Sequence, residues 1–243
     1  MAAYGKWIFR SVVAVSLMTG AAAARAGVCD AAFMHDGGAA RFSGQGSMTL
    51  SADLAFSGVS QLGHGQCRAR VQGSASFVYM GIPTGATRLD YLMTVRGGQA
   101  SFVRYDKAGE APSHDGRFDL RMLGLFSYDK VREGQHLPGA SYRVNIGSDS
   151  PVGQQPAITV HVGAKTVGAA RDMDTPRGSQ SCMPITYSRS TDPVKLSFNG
   201  LVLPIQGVRS TVTDWFCPRL DLVVRQDIAQ DDARSSVTLT QLH

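Results

Sequence analysis

Glutamate and lysine are almost missing from this chain. Glutamate occurs only at Glu110 and Glu133, and beyond residue 26 lysine occurs only at Lys107, Lys130, Lys165 and Lys195. Long exposed helices are normally covered in these two residues, so their scarcity argues for few or no long helices. A second absence is any apolar run long enough to span a bilayer. The longest, Val12 to Ala24, has about 13 residues, well short of the ~20 a membrane-crossing helix needs. No transmembrane segment is therefore expected in the mature chain.

Motif chemistry is thin as well. There is no C-x-x-C, the histidines never fall in H-x-H or H-E-x-x-H spacing, and no G-x-S-x-G elbow occurs. No metal site, cofactor or catalytic residue is expected on that ground. Basic runs are absent too. With Lys6, Arg10 and Arg25 removed, 21 basic residues face 19 acidic ones and the net charge falls from +5 to +2, which gives no support for nucleic-acid binding.

What is present begins with an export signal. Lys6 and Arg10 precede the apolar run, and Ala24-Arg25-Ala26 closes it with the small-x-small pattern of a cleavage site. Cleavage after Ala26 makes residues 1–26 a discarded signal peptide and 27–243 the mature protein, periplasmic or secreted. Val28 before Cys29 argues against lipidation, which requires a small residue there. All four cysteines, Cys29, Cys67, Cys182 and Cys217, lie in the mature part, and an even count in an exported chain reads as two disulfides. Three connectivities are open; locality favours Cys29 with Cys67 and Cys182 with Cys217.

Period-two alternation dominates the rest. Met48, Leu50, Ala52, Leu54 and Phe56 share one face of a strand; Cys67, Ala69, Val71, Ala75, Phe77 and Tyr79 share another; Leu89, Tyr91, Met93 and Val95 make a third. Gly97-Gly98 then turns the chain into Ala100–Tyr105 as a hairpin. Further alternating runs lie at 142–146, 158–162, 182–187, 194–205 (interrupted at Asn199-Gly200), 212–224 and 237–242. Segments 107–116, 129–141, 147–156 and 169–181 read as polar loops. Strands without helical crossovers pair antiparallel, so the fold expected is all-β: an antiparallel sandwich or a barrel, closed or half-formed, in a single domain, with a subdomain seam near 147–156 as the alternative.

The mature histidines are His35, His64, His114, His136, His161 and His243. His35-Asp36 and His114-Asp115 put imidazole beside carboxylate, but neighbours on extended chain point to opposite faces, so neither pair makes a dyad by itself. His161 alternates out of the apolar run ITVHV and reads as a solvent-facing strand residue, with a polar group in a ligand cavity as the alternative. Asp90 and Asp119 share polar strand faces with Arg68, Arg70, Arg96, Arg117 and Arg121, a pattern for cross-strand Arg–Asp pairs or an anion- or partner-binding strip. Trp215, in TDWFCP, shares a strand face with Cys217 and reads as structural, with Asp214 and Pro218 marking a strand end nearby. The ligand-binding residues themselves are not legible.

The function expected is non-enzymatic: an exported protein that binds a lipid or other apolar ligand, or an envelope partner, on a curved antiparallel sheet. The rivals are a hydrolase using loop Asp and His residues, and an interaction module pairing through an edge strand.

Overall fold

The computed structural model describes residues 27–46, 48–63, 65–79, 82–96, 99–105, 128, 130–144, 158–198 and 201–243. The expected signal segment 1–26, the 147–156 seam, His64, His114-Asp115, Arg117, Asp119 and Arg121 lie outside the described residues. Among the described residues sixteen strands follow a short 3-10 turn, Val28–Asp30. They are β1 Ala39–Gly46, β2 Met48–Gly63, β3 Gln66–Tyr79, β4 Ile82–Arg96, β5 Gln99–Arg104, β6 His136–Leu137, β7 Ala140–Val144 and β8 Ile158–Val162. Then come β9 Lys165–Val167, β10 Arg171–Thr175, β11 Gly178–Thr191, β12 Val194–Phe198, β13 Leu201–Ile205, β14 Arg209–Cys217, β15 Leu222–Gln230 and β16 Ala233–Leu242. The all-β antiparallel expectation holds. Of the closures it allowed, a barrel is not formed: one large sheet runs β5-β4-β3-β2-β1-β16-β15-β14-β11-β8-β7 and stays open.

The first and last strands make the junction. β1 pairs with β16 from Ala40 opposite Leu242 to Gly46 opposite Ser235, and this joins the early meander β1–β5 to the late strands. β8, β9 and β10 run in succession along one edge of β11, and each break between them adds one residue against β11, as a bulge does. β12 and β13 form a separate two-stranded ribbon.

Alternation places Leu50, Leu54, Phe56, Val71, Tyr91, Met93, Phe42, Leu239, Val212 and Tyr187 in the core, each with at most 6% of its surface exposed. The N-terminal segment covers part of it. Phe33 is fully buried and stacks on Phe56 at 4.5 Å between ring centroids, and Cys29 is bonded to Cys67 of β3. Cys182 is bonded to Cys217, the residue in line with it across the β11–β14 pair.

Two local readings differ from the structure. The polar segment 169–181 is not a loop, because β10 and the start of β11 form a hairpin through it, exposed at most positions and so without an alternating stripe. The run 212–224 is two strands, parted by a turn at Pro218–Asp221. The strand end expected near Trp215 and Cys217 falls at Cys217, just before Pro218, while Asp214 sits inside β14 with no exposed surface.

Candidate functional site

The polar face of the early meander collects charge. Alternation turns Arg41, Asp53, Arg68, Arg70, Gln72, Arg88, Asp90 and Arg96 away from the buried side of β1–β4. Gln72 stands across from Asp90 in the β3–β4 register, which leaves Arg70 on the diagonal. Arg70 reaches Asp90 with two parallel bonds, Nε to Oδ1 at 2.8 Å and Nη2 to Oδ2 at 2.9 Å, while Gln72 Nε2 donates to Oδ2 at 3.3 Å. The guanidinium also lies 4.0 Å from the Tyr105 ring centroid. Hydrogen bonding by Arg70 holds the Asp90 carboxyl below the usual carboxylate range, and the same bond raises the Arg70 guanidinium. On the neighbouring pair Arg41 bonds Asp53, its partner across β1 and β2. Five arginines against two aspartates leave this face positive.

Between those ion pairs the face opens. A recess of about 460 Å³ is lined by Ala39, Arg41, Asp53, Ala55, Gln72, Gly73, Arg88, Gln241 and His243, among others. Its floor is backbone because of Gly73. With φ of +150°, a Cβ there would stand 1.9 Å from the Asp53 carbonyl oxygen, so only glycine lets β2 and β3 meet this closely. Small neighbours Ala39 and Ala55 keep the recess clear. Arg41 and Arg88 are exposed at its rim.

A different cluster is buried near the other end of the sheet. The Asp214 carboxylate accepts from the Tyr128 hydroxyl and, at 2.7 Å, from Gln226 Nε2. Lys165 Nζ donates to that tyrosine oxygen at 2.8 Å and lies over the Tyr128 and Tyr187 rings at 4.6 and 4.4 Å. Burial, then the Asp214 charge, pushes both tyrosine hydroxyls well above their ordinary value. The cluster pins Tyr128, β9, β14 and β15 to one another. No sequence signal announces it, because its members are scattered along the chain and Asp214 reads as a strand-end residue.

The histidines resolve differently from one another. His35 Nδ1 contacts the Asp36 backbone oxygen, and Asp36 instead caps the Val59 N–H, so these two do not act as a dyad. His136 Nδ1 lies 3.4 Å from Thr166 Oγ1. His161 faces solvent, as its alternation indicates, with 46% of its side chain exposed. It also has partners the sequence does not reveal: Nδ1 is 2.9 Å from Ser141 Oγ and Nε2 is 3.0 Å from Asp192 Oδ1. Trp215 is partly buried beside the core that holds both disulfides and donates to Asp227 Oδ2 at 2.8 Å. Among the described residues no group of three or more His, Cys, Asp or Glu could hold a metal ion, and no helix is long and apolar enough to cross a membrane.

No family model matches the chain and no curated protein is similar to it. Solved structures similar to it include a protein from Bacteroides fragilis described as exported with a YmcC-like fold, 11% identical, covering 86% of this chain and 96% of that one at a TM-score of 0.48. A protein described as a lipoprotein from Parabacteroides distasonis is 13% identical over 88% and 98% of the two chains, also at 0.48. The hypothetical lipoprotein YmcC of Escherichia coli is 7% identical over 86% of each chain at 0.35.

Proposed function

We propose that this is an exported binding protein, cleaved after Ala26, whose polar sheet face receives an envelope partner through a carboxylate or phosphate group. The recess at Gly73 carries this reading. It sets the exposed guanidinium of Arg88 and that of Arg41, whose Nε is held by Asp53 at the same rim, beside Gln72 and Gln241 over the Gly73 backbone, and guanidinium forks suit planar or tetrahedral anions. Its volume falls in the range of small-ligand pockets. Export is supported by the N-terminal charge and apolar pattern and by two disulfides, which persist outside the cytoplasm. The apolar-ligand alternative draws less support, since the apolar face is filled by the chain's own side chains, Phe33 on Phe56 among them.

The test is calorimetric titration of the mature protein with citrate and with inorganic phosphate at low and raised salt. Binding should weaken with salt, and Arg41→Ala and Arg88→Ala should each weaken it about tenfold or more. Arg177→Ala, in the turn between β10 and β11, should leave it unchanged. Equal affinity in all three variants, or no heat with either anion, removes the support for this site.

A further inference from the structure

We infer that Ser141, His161 and Asp192 form a serine hydrolase site at the β7–β8 edge of the sheet, separate from the arginine-lined recess. Three chain segments converge to build it. Ser141 of β7 stands across from His161 of β8, and the backbone N–H of Asp192, just past β11, donates to the Thr159 carbonyl of β8 at 3.1 Å. That bond sets Asp192 beside the imidazole. The resulting chain of contacts is Ser141 Oγ to His161 Nδ1 at 2.9 Å and His161 Nε2 to Asp192 Oδ1 at 3.0 Å. Nucleophile, base and orienting carboxylate are thus in hydrogen-bond order, and it is order and role rather than fold that define such a triad.

The chemistry follows from the tautomer this arrangement selects. With Nε2–H given to Asp192, the lone pair of Nδ1 faces the Ser141 hydroxyl. Attack forms a bond from Oγ to the carbonyl carbon of an ester while the hydroxyl proton passes to Nδ1, and Asp192 stabilises the imidazolium. Collapse of the tetrahedral intermediate breaks the bond to the alcohol oxygen, which leaves with the proton from Nδ1. Water then repeats the sequence on the acyl-serine and releases the carboxylic acid, so no further reactant is required. Arg143 lies two residues along β7 on the same face and is exposed, about 7 Å away by strand geometry, placed to offer positive charge to the developing oxyanion.

Exposure sets the substrate class. The side chains of His161 and Asp192 are 46% and 55% exposed, so an ester projecting from a large polar molecule can reach Ser141 without entering a cleft. The same exposure limits the base, because solvent screens its attraction to Asp192, and turnover should be slow beside enzymes with enclosed sites.

The experiment uses the mature protein with a fluorophosphonate probe and with p-nitrophenyl acetate. One probe molecule per chain should attach, located at Ser141 by peptide mass spectrometry. Ser141→Ala and His161→Gln should each lower ester turnover at least tenfold with circular dichroism unchanged, and Asp192→Asn should lower kcat with little change in KM. Probe attached elsewhere, or turnover in Ser141→Ala equal to that of the parent, overturns the assignment.

Discussion

Asp214 is the buried charge at the centre of the late half of the sheet. It has no exposed surface, and its donors Tyr128 and Gln226 are themselves buried. A buried carboxylate is tolerated only while such partners are in place. Asp214→Ala strands Tyr128 and Gln226 at once, at roughly 1–3 kcal/mol each, and urea denaturation should show a loss of at least that size. The tyrosines around it add a pH signature. Tyr128 and Tyr187 have raised folded-state values, so the stability they contribute is complete below the ordinary tyrosine value near 10 and is lost as pH rises from there towards the folded-state value. Tyrosinate absorbance at 295 nm should therefore appear in two stages, exposed rings first and these two only as the protein unfolds. At the recess, Gly73 has no ready substitute either. Gly73→Ala must displace the Asp53 carbonyl and holds a positive φ, so it should cost more than about 1 kcal/mol and narrow the recess.

Between strands, the Arg70–Asp90–Gln72 bridge is the element most open to test. Asp90 has a lowered value because Arg70 holds its charged form, so the stability from that contact is present above the unfolded carboxylate value and is lost as pH falls through the folded one. Asp90→Asn should be less stable than the parent at pH 7, and the gap should close in acid; a gap constant from pH 7 to pH 2 would rule out the carboxylate as its source. This bridge also marks how far a sequence can be read. Alternation in β2, β3 and β4 placed Arg70 and Asp90 on one polar face, because strands with one buried side write their geometry as period two. β1 escaped because Ala39, Gly44 and Gly46 break its alternation, and β10 because most of it is exposed. The recess was illegible for a different reason: it is made by a missing side chain at Gly73 and by strands whose register no single segment encodes. Ser141 and Asp192 were hidden likewise, at 20 and 31 residues from His161, until pairing closed the distance.

At the scale of the whole molecule, the described strands of the open sheet form two halves whose main chains are hydrogen-bonded to each other along a seam. That seam is β1 against β16, backed by main-chain bonds between Ala39 and His243 in both directions at 3.0 and 2.9 Å. The disulfides sit on either side of it and reinforce the halves, not the seam. Cys29–Cys67 ties the N-terminal turn over β3 across 38 residues, and Cys182–Cys217 ties β11 to β14 across 35. Loops of this size each restrict the unfolded chain by about 4 kcal/mol on the chain-entropy model. Similar numbers hide different native consequences. Removing Cys182–Cys217 leaves β11 and β14 joined by an eight-pair ladder, so the folded state should keep its hydrogen-exchange pattern while global stability falls. Removing Cys29–Cys67 leaves the N-terminal turn held by the Phe33–Phe56 stack and the 3.0 Å bond from Gln61 to the Cys29 carbonyl, so residues 28–34 should exchange faster in the native state as well. Exchange measured on the two double Cys→Ala variants separates these outcomes: local opening confined to the first variant is expected, and the same protection loss across β11 and β14 in the second would mean the ladder depends on its disulfide.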